Sequence, residues 1–334
     1  MNPFYHLMIQ GPRGRIARPP LTIQKAYITS TGTISGPAGW TAVRNSTGYY
    51  TVDVGVDATA DGVAPWAFVH YSGSSTSLTC TAQIQLSAAN PSEVEIWTPR
   101  VSDGGETNSN FYFYLATGTV DSVKKAILLD TGSFASSPFS APAGWTSSRL
   151  STGNYRVTPT GGLDLRPING EAAFMVMPYG IANPDGPKQH AEWNPDTVTT
   201  EARINTRRLA DDAIQDRDSY MVWIDPSIHE IPVIGAEANG GSFIGGTPVG
   251  WTINNPTAGL SEVGIAKGNQ PVFPTQDGLG LMLNCRTGQT NGAGISATFD
   301  GGPEVNCRTY RILDGAATFN KTFFITTISG SPPA

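Results

Sequence analysis

One pentapeptide recurs three times along the chain and fixes how it must be divided. Pro37-Ala38-Gly39-Trp40-Thr41 returns as Pro142-Ala143-Gly144-Trp145-Thr146, and again with one change as Pro248-Val249-Gly250-Trp251-Thr252. From Pro37 to Val52 the first copy matches Pro142 to Val157 without a gap, with 11 of 16 residues identical. A repeat period of roughly one hundred residues is the size of a small domain rather than of a solenoid unit.

A second signature, farther into each copy, keeps the same register. Glu93, Thr98, Arg100 and Asp103 recur as Glu201, Thr206, Arg208 and Asp211, then as Glu304, Thr309, Arg311 and Asp314. Each copy then closes on an apolar, aromatic run: Phe111 to Tyr114, Tyr220 to Trp223, and Phe323 to Ile325. Two motifs in one order at one spacing mark a tandem duplication. The expected division is an N-terminal segment 1–24 followed by copies 25–120, 121–229 and 230–334.

Within a copy the apolar residues alternate over short stretches, as in Tyr50-Thr51-Val52-Asp53-Val54, which is the period of half-buried strands. The 38 Gly and 25 Pro are spread along the chain as turn residues. Only Val120 to Leu129 has a spacing compatible with a helix. About seven short strands per copy predict an all-β protein of three tandem antiparallel β-sandwich, Ig-like domains.

Composition removes several function classes. A net charge of −6 opposes nucleic-acid binding, which needs a clustered positive surface, and no apolar run approaches a membrane span. Charged residues make up only 14% of the chain, so Ser, Thr, Gly and Asn must cover much of its surface. The first 20 residues lack the continuous apolar stretch of a secretion signal.

Candidate site residues follow from the repeats. Trp40, Trp145 and Trp251, each held between Pro-x-Gly and Thr, are read as plugs of the fold. Arg100, Arg208 and Arg311 with Asp103, Asp211 and Asp314 are read as loop braces, and Glu93, Glu201 and Glu304 share that signature. A catalytic set is seldom needed three times in one chain, whereas a brace is needed once per domain. The four His fall in unrelated contexts, so no triad or metal set assembles. No catalytic residue, metal or cofactor is therefore expected. Cys307 takes the place of Ile96 and Ile204 and is read as core, with pairing to Cys285 an open alternative. Trp66, Trp97 and Trp193 sit in non-repeated contexts, which makes them candidates for stacking on a glycan.

The first 21 residues belong to no copy. Pro3, Pro12, Pro19 and Pro20 favour an extended arm, with Phe4, Tyr5 and Leu7 as apolar anchors and Arg13, Arg15 and Arg18 as basic contacts.

The tandem copies with their Pro-x-Gly-Trp-Thr turn, the low-charge Ser/Thr/Gly-rich surface and the arm resemble the modular β-domain proteins of tailed-bacteriophage particles. Over Ala26 to Ser329 the chain is similar to tail fibres, tail appendages and capsid decorations. The resemblance implies a non-enzymatic virion structural protein, made in the host cytoplasm and anchored by its N-terminal region. Its implied partners are other virion proteins, further copies of itself (trimers are common in fibres), and a host-surface glycan if it serves as an adhesin.

Overall fold

The computed structural model describes residues 21–70, 81–159, 162, 164–166, 173–180, 189–195, 200–225, 233–265, 279–287, 293–299, 304–311 and 320–329. The first copy forms β1 (Thr22–Ile28), β2 (Ile34–Ser35), β3 (Thr41–Ser46), β4 (Tyr49–Asp53), β5 (Val63–Val69), β6 (Gln83–Leu86), β7 (Glu93–Trp97) and β8 (Phe111–Thr117). The second forms β9 (Val123–Leu128), β10 (Thr146–Ser151), β11 (Asn154–Thr158), β12 (Ala173–Pro178), β13 (Gln189–Pro195), β14 (Ala202–Arg208) and β15 (Ser219–Ile224). The third forms β16 (Val233–Asn239), β17 (Ser242–Ile244), β18 (Thr252–Thr257), β19 (Leu260–Gly264), β20 (Leu279–Cys285), β21 (Ala293–Phe299), β22 (Glu304–Arg311) and β23 (Thr322–Ser329).

The described residues are all-β, in six antiparallel sheets, two per copy. One sheet of each pair runs β2-β1-β8-β5, β12-β15-β9 or β17-β16-β23-β20; the other runs β3-β4-β7-β6, β10-β11-β14-β13 or β18-β19-β22-β21. In the second copy a single Leu128–Phe134 bridge stands where β2 and β17 stand in the others. The pairing of first and last long strands (β1 with β8, β9 with β15, β16 with β23) gives the sandwich its own strand order, distinct from the ABED/CFG order of immunoglobulin domains.

Two local expectations change. Val120 to Leu129 is a turn followed by β9, because every residue from Ala126 to Leu128 is needed in a buried ladder beside β15. Strand β1 starts at Thr22, inside the segment assigned to the arm, since Leu21 and Ile23 are apolar and fully buried.

The repeated pentapeptide is a turn, closed by Trp40 N donating to Pro37 O (3.3 Å), Trp145 N to Pro142 O (3.2 Å) and Trp251 N to Pro248 O (3.0 Å). Gly39, Gly144 and Gly250 take φ of +86°, +78° and +78° at its third position, the geometry of a type II turn. The indole that follows drops between the two sheets: Trp40 meets Phe113 and Trp145 meets Trp223. All three rings are buried.

The two kinds of sheet differ in burial. In the sheets containing β3, β10 and β18, those edge strands are mostly exposed, and their neighbours β4, β11 and β19 alternate buried with half-buried. These are the outer sheets. In the others, β12 and β15 are buried at every position and β8 at all but its last. Such strands have cover on both faces. On β15, Met221 and Trp223 point into the second copy's own core, while Tyr220, Val222 and Ile224 join a cluster shared with the other two copies.

The three copies thus close on one another where the inner-sheet edge strand of one meets the outer-sheet edge strand of the next. At the ends of β5, β12 and β20, three equivalent residues each make a parallel bridge to the next copy: His70 to Ala297, Tyr179 to Ile84 and Arg286 to Trp193. The first copy docks on the third, the third on the second, and the second on the first. This is a closed threefold cycle made by one polypeptide.

Candidate functional site

The second signature is a set of local braces in the outer sheets. Arg100 Nε donates to Asp103 Oδ1 (2.8 Å), whose carboxylate also accepts from Gly105 N (2.8 Å). Arg208 and Asp211 repeat the pairing, with Nε to Oδ1 at 2.9 Å and Ala213 N as the added donor (3.1 Å). Arg311 ends β22, and Asp314 lies outside the described residues. Glu93 accepts from Asn90 Nδ2 (3.0 Å), Glu201 lies 3.3 Å from Arg156, and Glu304 is exposed opposite Gly264. The described members of the three sets sit in separate copies.

Another threefold brace was not read from the sequence. Thr98 N, Thr206 N and Thr309 N donate to Gly48 O, Gly153 O and Gly259 O at 2.8, 2.9 and 2.8 Å. The amides of the same glycines donate to the side chains of Asn108 (2.9 Å), Asp216 (2.7 Å) and Asn320 (2.7 Å). The Asn/Asp/Asn variation, in a stretch of unequal loop length, hid the equivalence.

The three tryptophans proposed for glycan stacking are corrected by their burial. Trp66, Trp97 and Trp193 are almost wholly buried, and each has a ring face occupied by another aromatic. Trp66 stacks on Tyr114 at 5.2 Å, Trp97 on Tyr49 at 4.6 Å, and Trp193 on Phe324 at 4.6 Å. Trp66 also donates its indole N–H to Leu281 O of the third copy (2.9 Å). Two of these rings are therefore cement between copies. Cys285 and Cys307 are buried free thiols, so the alternative of a disulfide does not form. The arm residues Phe4, Tyr5, Leu7, Arg13, Arg15 and Arg18 lie outside the described residues.

What the structure brings together instead is the junction of the copies. The edge strands β5, β12 and β20 surround a cavity of about 30 Å³, lined by residues of all three copies, among them Phe68, Met177, His190 and Asn284. Exposed strand edges carry unpaired backbone groups, and here equivalent side chains of the next copy cover them. Asn284 accepts from Val176 N (2.9 Å) and donates to Val176 O (3.0 Å), while Met177 Sδ accepts from Ala67 N (3.5 Å).

The seam between second and third copies also holds ionisable groups. Alternation along β13 turns Ala191 and Trp193 into the second copy's core cluster, which Phe324 of the third copy completes, and leaves His190 and Glu192 on the opposite face, where Glu192 meets Ala293 of the third. Glu192 Oε1 accepts from Ala293 N at 2.6 Å, directly across the seam. Its other oxygen lies 3.7 Å from Arg207 Nε, too far for a hydrogen bond, and His190 Nε2 is 3.8 Å from Oε1. Arg207, opposite His190 in the β13–β14 ladder, is held by the carbonyl and Oδ1 of Asp212, both at 3.2 Å. Asp212 has a positive φ (59°), a conformation Asp tolerates better than most non-glycine residues.

Burial sets the protonation of this cluster. It pushes the Glu192 carboxyl up to about 7, against the pull of Arg207. Burial and the Arg207 charge push His190 down to about 3. Burial also raises the Cys285 thiol and lowers the Lys321 ammonium. The arrangement can take up and release protons inside an interface. Among the described residues no group of three or more His, Cys, Asp or Glu side chains could hold a metal ion. Compared with protein-family models, curated proteins and solved structures, the chain matches none.

Proposed function

We propose that the chain is a non-enzymatic structural protein of a bacteriophage particle, a tail fibre or tail appendage attached through its N-terminal region. The observation that carries this reading is the closed cycle of three β-sandwich copies. Fibre proteins build rigid threefold bodies from β-domains, and this chain builds one from its own repeats. Its outer strands β3 and β10 present Thr, Ser, Ala, Val, Asn and Leu with a single Arg each, a surface of low charge suited to contact outside the cell. The bulges at Arg44/Ser46, Arg149/Ser151 and Asn254/Thr257 interrupt the three exposed edges and oppose edge-to-edge aggregation.

Immunogold labelling of particles purified from a lysate of the phage that encodes the chain tests the reading. Label on the tail is expected, and a chain lacking residues 1–21 should no longer join the particle. Label on the head would replace it with a capsid decoration, and unlabelled particles would overturn it.

A further inference from the structure

The three seams are equivalent in position but not in chemistry. Gln83, Glu192 and Ser296 occupy one equivalent site, just before the bridged residues Ile84, Trp193 and Ala297. Between the first and second copies, Gln83 donates its amide to Gly180 O and Tyr179 OH donates to Leu86 O. Between first and third, the contacts are Trp66 to Leu281 and the edge-to-face pair Tyr112–Phe299 at 4.9 Å. Only between second and third do His190, Glu192 and Arg207 lie together, each at least nine-tenths buried.

We infer that the seam between the second and third copies is a proton-controlled latch, in which His190 must stay neutral and Glu192 must keep its proton for the seam to close fully. Among the described residues neither His190 ring nitrogen makes a well-formed hydrogen bond, the Ala293 backbone being the neighbour that favours its charge, and Glu192 Oε2 has no hydrogen-bond partner. A charge on either group would sit in a buried site that solvates it poorly. The groups facing Glu192 are His190 on its own strand, Arg207 on β14, Asp212 just after β14, the Ala293 amide on β21, Cys285 on β20 and Lys321 at the head of β23. Arg207 partly offsets a charge on Glu192 and adds to the penalty on a charged His190.

The two groups act in opposite directions with pH. Glu192 is raised in the fold, so its contribution to closure is full below about 4.5 and lost as pH rises through about 7. His190 is lowered, so its contribution is present above about 6.5 and lost as pH falls through about 3. Between about 4.5 and 6.5 the two effects offset each other. Lys125, which bonds Ala60 O and Val63 O across another seam, is lowered only to about 8 and titrates outside this window.

Hydrogen exchange of the full chain, read at the Ala293 and Val176 amides and corrected for intrinsic rates, tests the latch. In wild type the opening equilibrium should stay level between pH 4.5 and 6.5. Glu192→Gln should leave only the His190 effect, with opening growing up to about tenfold per pH unit as pH falls below 6.5. His190→Asn should give the mirror image, with opening growing as pH rises from 4.5 to 7. Variants that both keep the wild-type profile would overturn the proposal. If neither variant folds, NMR of the wild-type histidine rings decides: a His190 ring still neutral at pH 5 supports the latch, and one titrating near 6.5 refutes it.

Discussion

Inner and outer sheets come from neighbouring stretches of the same repeat, yet they are held by different forces and diverge differently. The outer sheets keep the same residues from copy to copy: the Gly-Trp turn and the Thr–Gly backbone bond in all three, and the Arg–Asp brace in the first two. Each satisfies a demand of its own chain segment, and the demand is identical in each copy. The seams between copies place Phe68, Met177 and Asn284 of the inner sheets, and Gln83, Glu192 and Ser296 at the covered edges of the outer sheets, at equivalent points. Each of these meets a different neighbour. Identity therefore tracks local backbone geometry, and divergence tracks contact between copies.

Substitutions can break that comparison, beginning where burial is deepest. Trp66→Ala removes a fully buried ring between copies together with its bond to Leu281 O, and should cost about 4 kcal/mol in urea unfolding. Asn284→Ala leaves both Val176 N and Val176 O without their partner inside the seam, at about 2–3 kcal/mol by the same measurement. Asp103→Ala breaks a brace on the outer sheet whose carboxylate is half exposed, and should cost only about 0.5 kcal/mol. A reversal of the first and last values would show that the outer braces, not the seams, hold the chain together.

The outer half of the molecule was legible in the sequence because its signals are local. Pro, Gly and Trp at fixed offsets specify a turn wherever they occur, and Arg three residues before Asp specifies a brace. Trp66 and Trp193 mislead for an instructive reason. They differ from copy to copy, and in the sequence alone such a difference points to an external ligand. Their actual partners are Leu281 and Phe324 of another copy, which no spacing along the chain could reveal. The His190–Glu192–Arg207 cluster was hidden for the same reason, because its strand reads as an ordinary polar strand until the third copy covers it. Strand β1 starts a few residues earlier than the sequence suggests, because Leu21 and Ile23 follow a proline-rich stretch that masks the onset of the ladder.

The parallel bridges at His70, Tyr179 and Arg286 have a consequence for mass action. A ring of three separate chains disperses on dilution, since its formation depends on how often three molecules meet. Here the meeting partners are tethered, and their effective concentration is set by the length of the connecting loops rather than by abundance. The threefold body should persist at any dilution at which the chain itself is folded. Its melting temperature should accordingly be independent of protein concentration.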